Sequence, residues 1–145
     1  MASNKQSIII LPFRNSSTAK ENEFLCDGIV EELIGLISTN KNLRVISRNS
    51  AFSFKDQNVS SASLKKELGV DFIVKGMIRL SGEKIRINAT LVNAQDDQQI
   101  WSEKWDRNVA SLFDLEDEIA LIISDQIREH VGHFDIPELH EHKQK

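Results

Sequence analysis

A single cysteine, Cys26, in 145 residues rules out an internal disulfide, so cysteine use is silent on the redox compartment. Long apolar runs are also missing. The two longest, Ile8 to Pro12 and Ile119 to Ile123, fall far short of the ~20 residues a helix needs to cross a bilayer. No signal peptide is recognisable. The glycines, Gly28, Gly35, Gly69, Gly76, Gly82 and Gly132, are scattered, which excludes a glycine-rich phosphate loop. A net charge of −4 argues against broad electrostatic binding of nucleic acid. His130, His133, His140 and His142 all fall near the end without cysteine partners, so a metal held there would be adventitious and none is expected.

What is present fits one soluble domain: 40% hydrophobic and 28% charged residues. Ser7 to Leu11 is a continuous apolar run closed by Pro12, the pattern of a strand buried on both faces. A polar loop over residues 15–20 leads into a helix from about Glu21 to Ser38, where Leu25, Ile29, Leu33 and Leu36 or Ile37 recur at helical spacing. A short strand follows at residues 43–46, then a polar segment carrying Phe52 and Phe54. Ser60 or Ser61 caps a short helix that ends at Leu68, with Gly69 placed for a left-handed C-terminal cap. From Val70 to Leu80, Phe72, Val74, Gly76, Ile78 and Leu80 alternate with Lys75 and Arg79. Ile85, Ile87, Ala89 and Leu91 alternate in the same way, which predicts an antiparallel hairpin. A third strand over residues 99–107 places Trp101, Glu103 and Trp105 on one face. Ser111 with Asp114 resembles a capping box for a last helix to about Val131. The expected fold class is α/β (α+β): one mixed sheet of about five strands with three helices, in the order β-α-β-α-β-β-β-α. Residues 1–6 are expected to be a disordered or cloning-derived start, 7–131 the domain, and 132–145 a tail or linker.

Catalytic chemistry finds little support. Cys26 sits among apolar residues of the first helix and reads as a packed thiol. The pairs Glu31 with Glu32 and Asp96 with Asp97, and the run Glu116 to Glu118, fall on polar helix sides or in a turn, the pattern of solvated surface. Lys75 and Arg79, opposite Lys84 and Arg86, make a basic strand face that either holds an anion or keeps an open sheet soluble. Trp101 and Trp105 are core if covered by a helix and an interaction patch if exposed.

Several strings, taken in order, resemble a known family. They are Ile8 to Phe13, Asp27-Gly28 with Glu31 to Ile34, Leu43 to Arg48, Ser50 with Phe52 and Lys55, Leu68 to Val70, Gly76 with Arg79, Trp101 to Glu103, and Asp117 to Ala120. Together they look like the TolB-type amino-terminal domain of bacterial multidomain regulators. The resemblance implies a small αβ domain similar to anticodon-binding domains. It also implies a place between an output domain, either an adenylate cyclase or a DNA-binding helix-turn-helix, and tetratricopeptide repeats. It assigns no catalytic residue and no cofactor. The chain has no tyrosine, and Phe24 and Trp105 stand where relatives often carry one.

The expectation is therefore a non-catalytic regulatory or protein-interaction module from a larger bacterial regulator. Its partners would be neighbouring domains or another protein, with a homodimer open and no membrane contact. The alternative is a sensor of a small anionic ligand using Arg44, Arg48, Lys75, Arg79 or Arg86, and a weaker one is nucleic-acid binding. The contact residues to examine are those five cations with Trp101 and Trp105. A cytoplasmic location is expected, or a periplasmic one if a membrane helix precedes the segment.

Overall fold

Ile8, Ile9 and Ile10 are all fully buried, which alternating side chains achieve only when both faces of a strand are covered. They lie in β1 (Gln6–Ile10) of a computed structural model that describes residues 6–16, 21–108 and 112–131. Ile8 and Ile10 enter the main core, and Ile9 enters a second, smaller one on the opposite face.

The remaining elements are β2 (Arg14–Asn15), α1 (Glu21–Ile37), β3 (Leu43–Val45), α2 (Arg48–Phe52), α3 (Ser61–Leu68), β4 (Phe72–Ser81), β5 (Lys84–Asn93), β6 (Gln98–Asn108) and α4 (Leu112–His130). The sheet runs β3-β1-β4-β5-β6, with β2 continuing the line of β1 beside β4. β1 pairs with β3 and β4 in parallel, and β4, β5 and β6 form an antiparallel meander. The mixed α+β sheet read from the sequence is the fold present.

Two short elements add to that reading, giving six strands and four helices among the described residues. β2 has two residues and α2 five, too few for either period to show. The chain does not leave the sheet at Pro12: Arg14 and Asn15 pair with Met77 and Ile78. In the polar segment after β3, the Ser47 side chain accepts the Ser50 amide and so starts α2. The caps read at α3 are in place. Ser60 accepts the Ser63 amide at 3.1 Å, and Gly69 takes φ 68°, donating to the Lys65 carbonyl. The Ser111 cap, the tail at 132–145 and the histidines beyond His130 lie outside the described residues.

α1 and α4 pack together on one face of the sheet. Leu25, Ile29, Leu33 and Ile37 of α1 meet Leu115, Ile119, Ile123 and Ile127 of α4 over Val74, Ile78, Ile87 and Leu91. On the other face α2 and α3 cover the β3-β1-β4 side and the last residues of β5, over Ile9, Ile46, Ile73 and Val92. α3 has eight residues and is therefore roughly 12 Å long. Five main strands at roughly 4.8 Å spacing make a wider sheet than that, and β6 and the rest of β5 stay bare on this side. Ser7 ties α3 to β1, its Oγ donating to the Gly69 carbonyl and its amide to Asp71, which also pairs with Lys65.

Candidate functional site

The strand registers fix what the bare face displays. Across β4, β5 and β6 its rungs are Lys75-Thr90-Ser102, Met77-Asn88-Lys104, Arg79-Arg86-Asp106 and Ser81-Lys84-Asn108. Arg14 joins beside Met77. Six cations, Arg14, Lys75, Arg79, Lys84, Arg86 and Lys104, thus share a face with one carboxylate, Asp106. Among the described residues only Arg86 is neutralised there, its Nε and Nη2 donating to both Asp106 oxygens at 2.8 and 3.1 Å. Those hydrogen bonds hold the Asp106 carboxyl below its usual range. The opposite side is acidic. α1 carries Glu21, Glu23, Asp27, Glu31 and Glu32 and no Lys or Arg, and α4 begins with Asp114, Glu116, Asp117 and Glu118.

At one end the bare face becomes a groove of about 520 Å³. Phe54, Asp56, Gln57, Asn58 and Val59, between α2 and α3, form one wall. Lys75, Met77, Asn88, Thr90 and Gln99 of the sheet form the floor and the other side.

The cations named from the sequence do not converge. Lys75 lines this groove. Arg79, Lys84 and Arg86 line a shallower depression at the far end of the β4-β5 hairpin. Arg44 is exposed on edge strand β3. Arg48 donates to Glu31 of α1 at 2.7 Å and lies 4.1 Å from the centroid of the Phe52 ring. Next to it, Lys55 bridges Glu23 and Asp27 at 3.1 Å each. Burial opposes its charge, but hydrogen bonds to Glu23 and Asp27 outweigh that and raise the Lys55 pKa. Asp27, Glu31, Arg48 and Lys55 all belong to the strings that carry the family resemblance. Their arrangement is that of ion pairs fastening α2 to α1.

The tryptophans face the helices, not the bare side. Trp105 is buried and Trp101 half-buried against the main core, their ring centroids 6.0 Å apart. A bulge at Ile100, between the pairs Leu91-Trp101 and Val92-Gln99, aims them there. Cys26 is fully buried, and burial with Glu23 and Asp27 nearby pushes its thiol pKa up to about 12, so it is held as an unreactive thiol. No group of His, Cys, Asp and Glu suited to a metal ion occurs among the described residues, nor any helix long and apolar enough to cross a membrane. Sequence reasoning found Lys75 but missed Arg14, Asn88, Asp97 and the wall at 54–59. Asn88 lies on the regular polar period of β5, so alternation alone gave no signal for it.

A family model for the second domain of HilA/YgeH-like transcriptional regulators matches residues 3–122. The chain belongs to that family. A Rhizobium meliloti (strain 1021) protein named as an adenylate cyclase is 35% identical to this HilA/YgeH-like domain over 124 residues, which is 86% of the chain. Those residues make up 21% of the relative, so the chain spans about a fifth of the length of the curated protein it matches. Solved structures share the fold at lower identity. TolB from Acinetobacter baumannii superposes with a TM-score of 0.63 at 15% identity, over 89% of this chain and 29% of that one. A Neisseria meningitidis lipoprotein gives 0.60 at 17%, over 86% of this chain and 99% of its own. The HilA/YgeH-like domain therefore has the TolB-like fold expected from its sequence, together with a family-level association with regulators.

Proposed function

We propose that this HilA/YgeH-like domain is a non-catalytic interaction module whose bare sheet face docks an acidic surface on a neighbouring domain of its parent regulator. The observation that carries the reading is the sorting of charge. A chain of net charge −4 gathers six cations against one carboxylate on the single sheet face that its own helices leave uncovered. Complementary charge steers such docking and fixes its register. Carboxylates that could serve in catalysis are instead engaged in bridges: Glu31 with Arg48, Asp27 with Lys55, Asp106 with Arg86, and Glu118 with Arg107. A neighbouring domain is the occupant because the sequence is a fifth-length module of its curated relative. Single-stranded nucleic acid fits the face less well. Its β4, β5 and β6 rungs carry no aromatic ring on which a base could stack, both tryptophans pointing the other way.

The test titrates the chain calorimetrically with the adjoining domains of its parent, expressed separately. Binding should weaken by roughly tenfold in Arg79→Glu and in Lys104→Glu, as loss of a central interface contact does, with unchanged melting temperatures. Binding that ignores both reversals refutes the assignment of the face. Cyclic nucleotide production from ATP by the chain alone refutes the non-catalytic reading.

A further inference from the structure

The groove beside the α2–α3 segment presents three unmet chemical demands, and they differ from those of the flat part of the face. Arg14 and Lys75 line it, and neither side chain has an ion pair or hydrogen-bond partner among the described residues. Asn88 lines it as well, and its Oδ1 is shielded from bulk water without any hydrogen-bond partner. Such a group is normally satisfied in a folded protein. On the far side stand two carboxylates without an ion pair, Asp56 and Asp97, the latter accepting only the Ser61 hydroxyl at 2.6 Å. Between these charges the surface is apolar, from Leu11, Pro12, Phe54, Val59, Met77 and Val92. At about 520 Å³ the space lies within the range of small-molecule sites, roughly 300–1,000 Å³.

We propose that this groove binds a short peptide with free termini, its carboxylate on Arg14 and Lys75, its ammonium on Asp97 and Asp56, and a backbone N–H on Asn88 Oδ1. The length follows from the register. Arg14 lies beside Met77, while Asp97 follows the turn above the Phe72-Asn93 rung, five residues back along β4, roughly 17 Å at the usual rise. Lys75, three residues along β4 from Phe72, lies roughly 10 Å from that rung, the end-to-end length of about three extended residues. A free amino acid is too short to satisfy both ends at once. The site shares Arg14 and Lys75 with the face proposed for docking but uses neither Arg79 nor Lys104, so the two readings fail on different experiments.

The probe is the tripeptide Ala-Leu-Ala, compared with its N-acetylated and C-amidated forms, titrated into the nitrogen-15-labelled chain and followed by NMR. The free tripeptide should shift amides at 54–59, 88–90 and 97–99 saturably. Each blocked form should bind roughly tenfold more weakly, the loss expected for one charge-assisted contact. Asp97→Asn suits the left-handed backbone there (φ 60°) and keeps the Ser61 bond, leaves Asp56 alone with the ammonium, and should shrink the difference between free and acetylated peptide. Lys75→Gln leaves Arg14 alone with the carboxylate and should shrink the difference between free and amidated peptide. Failure of all three peptides to shift these amides saturably at about 10 mM, a concentration that detects even millimolar affinity, overturns the proposal. So does equal binding of free and blocked peptides, or shifts confined to other surfaces.

Discussion

The packing of Phe13 against Gly76 sets up a sharp test. Phe13, buried at 2% exposure, crosses from the end of β1 and lays its ring over Gly76 of β4. A Cβ at Gly76 would fall inside contact distance of three ring carbons. The ring belongs to the main core, between α1 and the sheet, and has no solvent to swing into. Overpacking of this kind costs about 1–3 kcal/mol. Exchanging glycine for alanine within a strand returns roughly 0.5–1 kcal/mol of backbone entropy. With three ring carbons in the way the upper end of that cost applies, so Gly76→Ala should destabilise the chain by about 2 kcal/mol, lowering the urea midpoint by about 1 M for an m-value near 2 kcal/mol/M.

The interaction is isolated by adding Phe13→Ala, which alone should cost about 3–5 kcal/mol. With the ring gone, the alanine at position 76 meets empty space, so the second substitution should cost nothing or be slightly stabilising. The cycle should give a coupling of about 2–3 kcal/mol, well above the scatter of independent sites. All four proteins can be unfolded in urea and followed by the fluorescence of Trp101 and Trp105, which sit against the same core. A chain of this length has on the order of 10 kcal/mol to lose, enough for the double variant to keep a folded baseline. Equal costs of Gly76→Ala in the two backgrounds, within about 0.5 kcal/mol, would refute the packing argument.

Two further outcomes follow from ionisable groups. Cys26, buried and with its pKa pushed up to about 12, should resist a thiol reagent at pH 8 while the chain is folded and react with one equivalent once urea unfolds it; rapid labelling without denaturant would contradict its burial. Glu116 is raised above the usual carboxylate range first by burial against Gly28 of α1, then by Asp117, Glu32 and Glu31. Because the fold prefers its protonated form, stability is lost as pH rises from the unfolded pKa through the folded one. Glu116→Gln should accordingly raise the melting temperature by about 1–2 °C at pH 7 and have no effect near pH 4, and an equal gain at both pH values would show that charge is not the cause.

The long elements were legible in the sequence because their periods are long enough to count. The α1 stripe, the hairpin alternation and the Ser60 and Gly69 caps needed no tertiary information. What escaped was short or depended on what covers what. α2 buries only Ala51 fully and has no period, and β2 is visible only through its pairing with Met77 and Ile78. Alternation placed Lys75, Arg79 and Arg86 on one face correctly. It could not show that Asp106 would neutralise Arg86 from the next strand, or that residues 54–59 would wall in Lys75 but not Arg79. The groove joins β2, an inter-helix segment and the start of β6. Those are parts far apart in the chain, none of which carries a motif.

The topology itself explains why function should concentrate on that side. Two crossovers place α1 on one face and α2 with α3 on the other, but the meander that follows widens the sheet by two strands, and the chain then returns as α4 to the α1 side. None of the described elements covers more than the end of β5 on the second face. An antiparallel sheet tolerates water there, so burial places no demand on the side chains of those rungs. Their composition is then free to answer to a partner, and it is strongly biased, with cations on every rung from Lys75 to Lys84 and the acidic residues sent to α1 and α4. If solubility alone had set this face, mixed charge would have served at lower cost in self-repulsion. A face so biased toward cations on a chain of opposite net charge is a pattern that suits charge-steered docking.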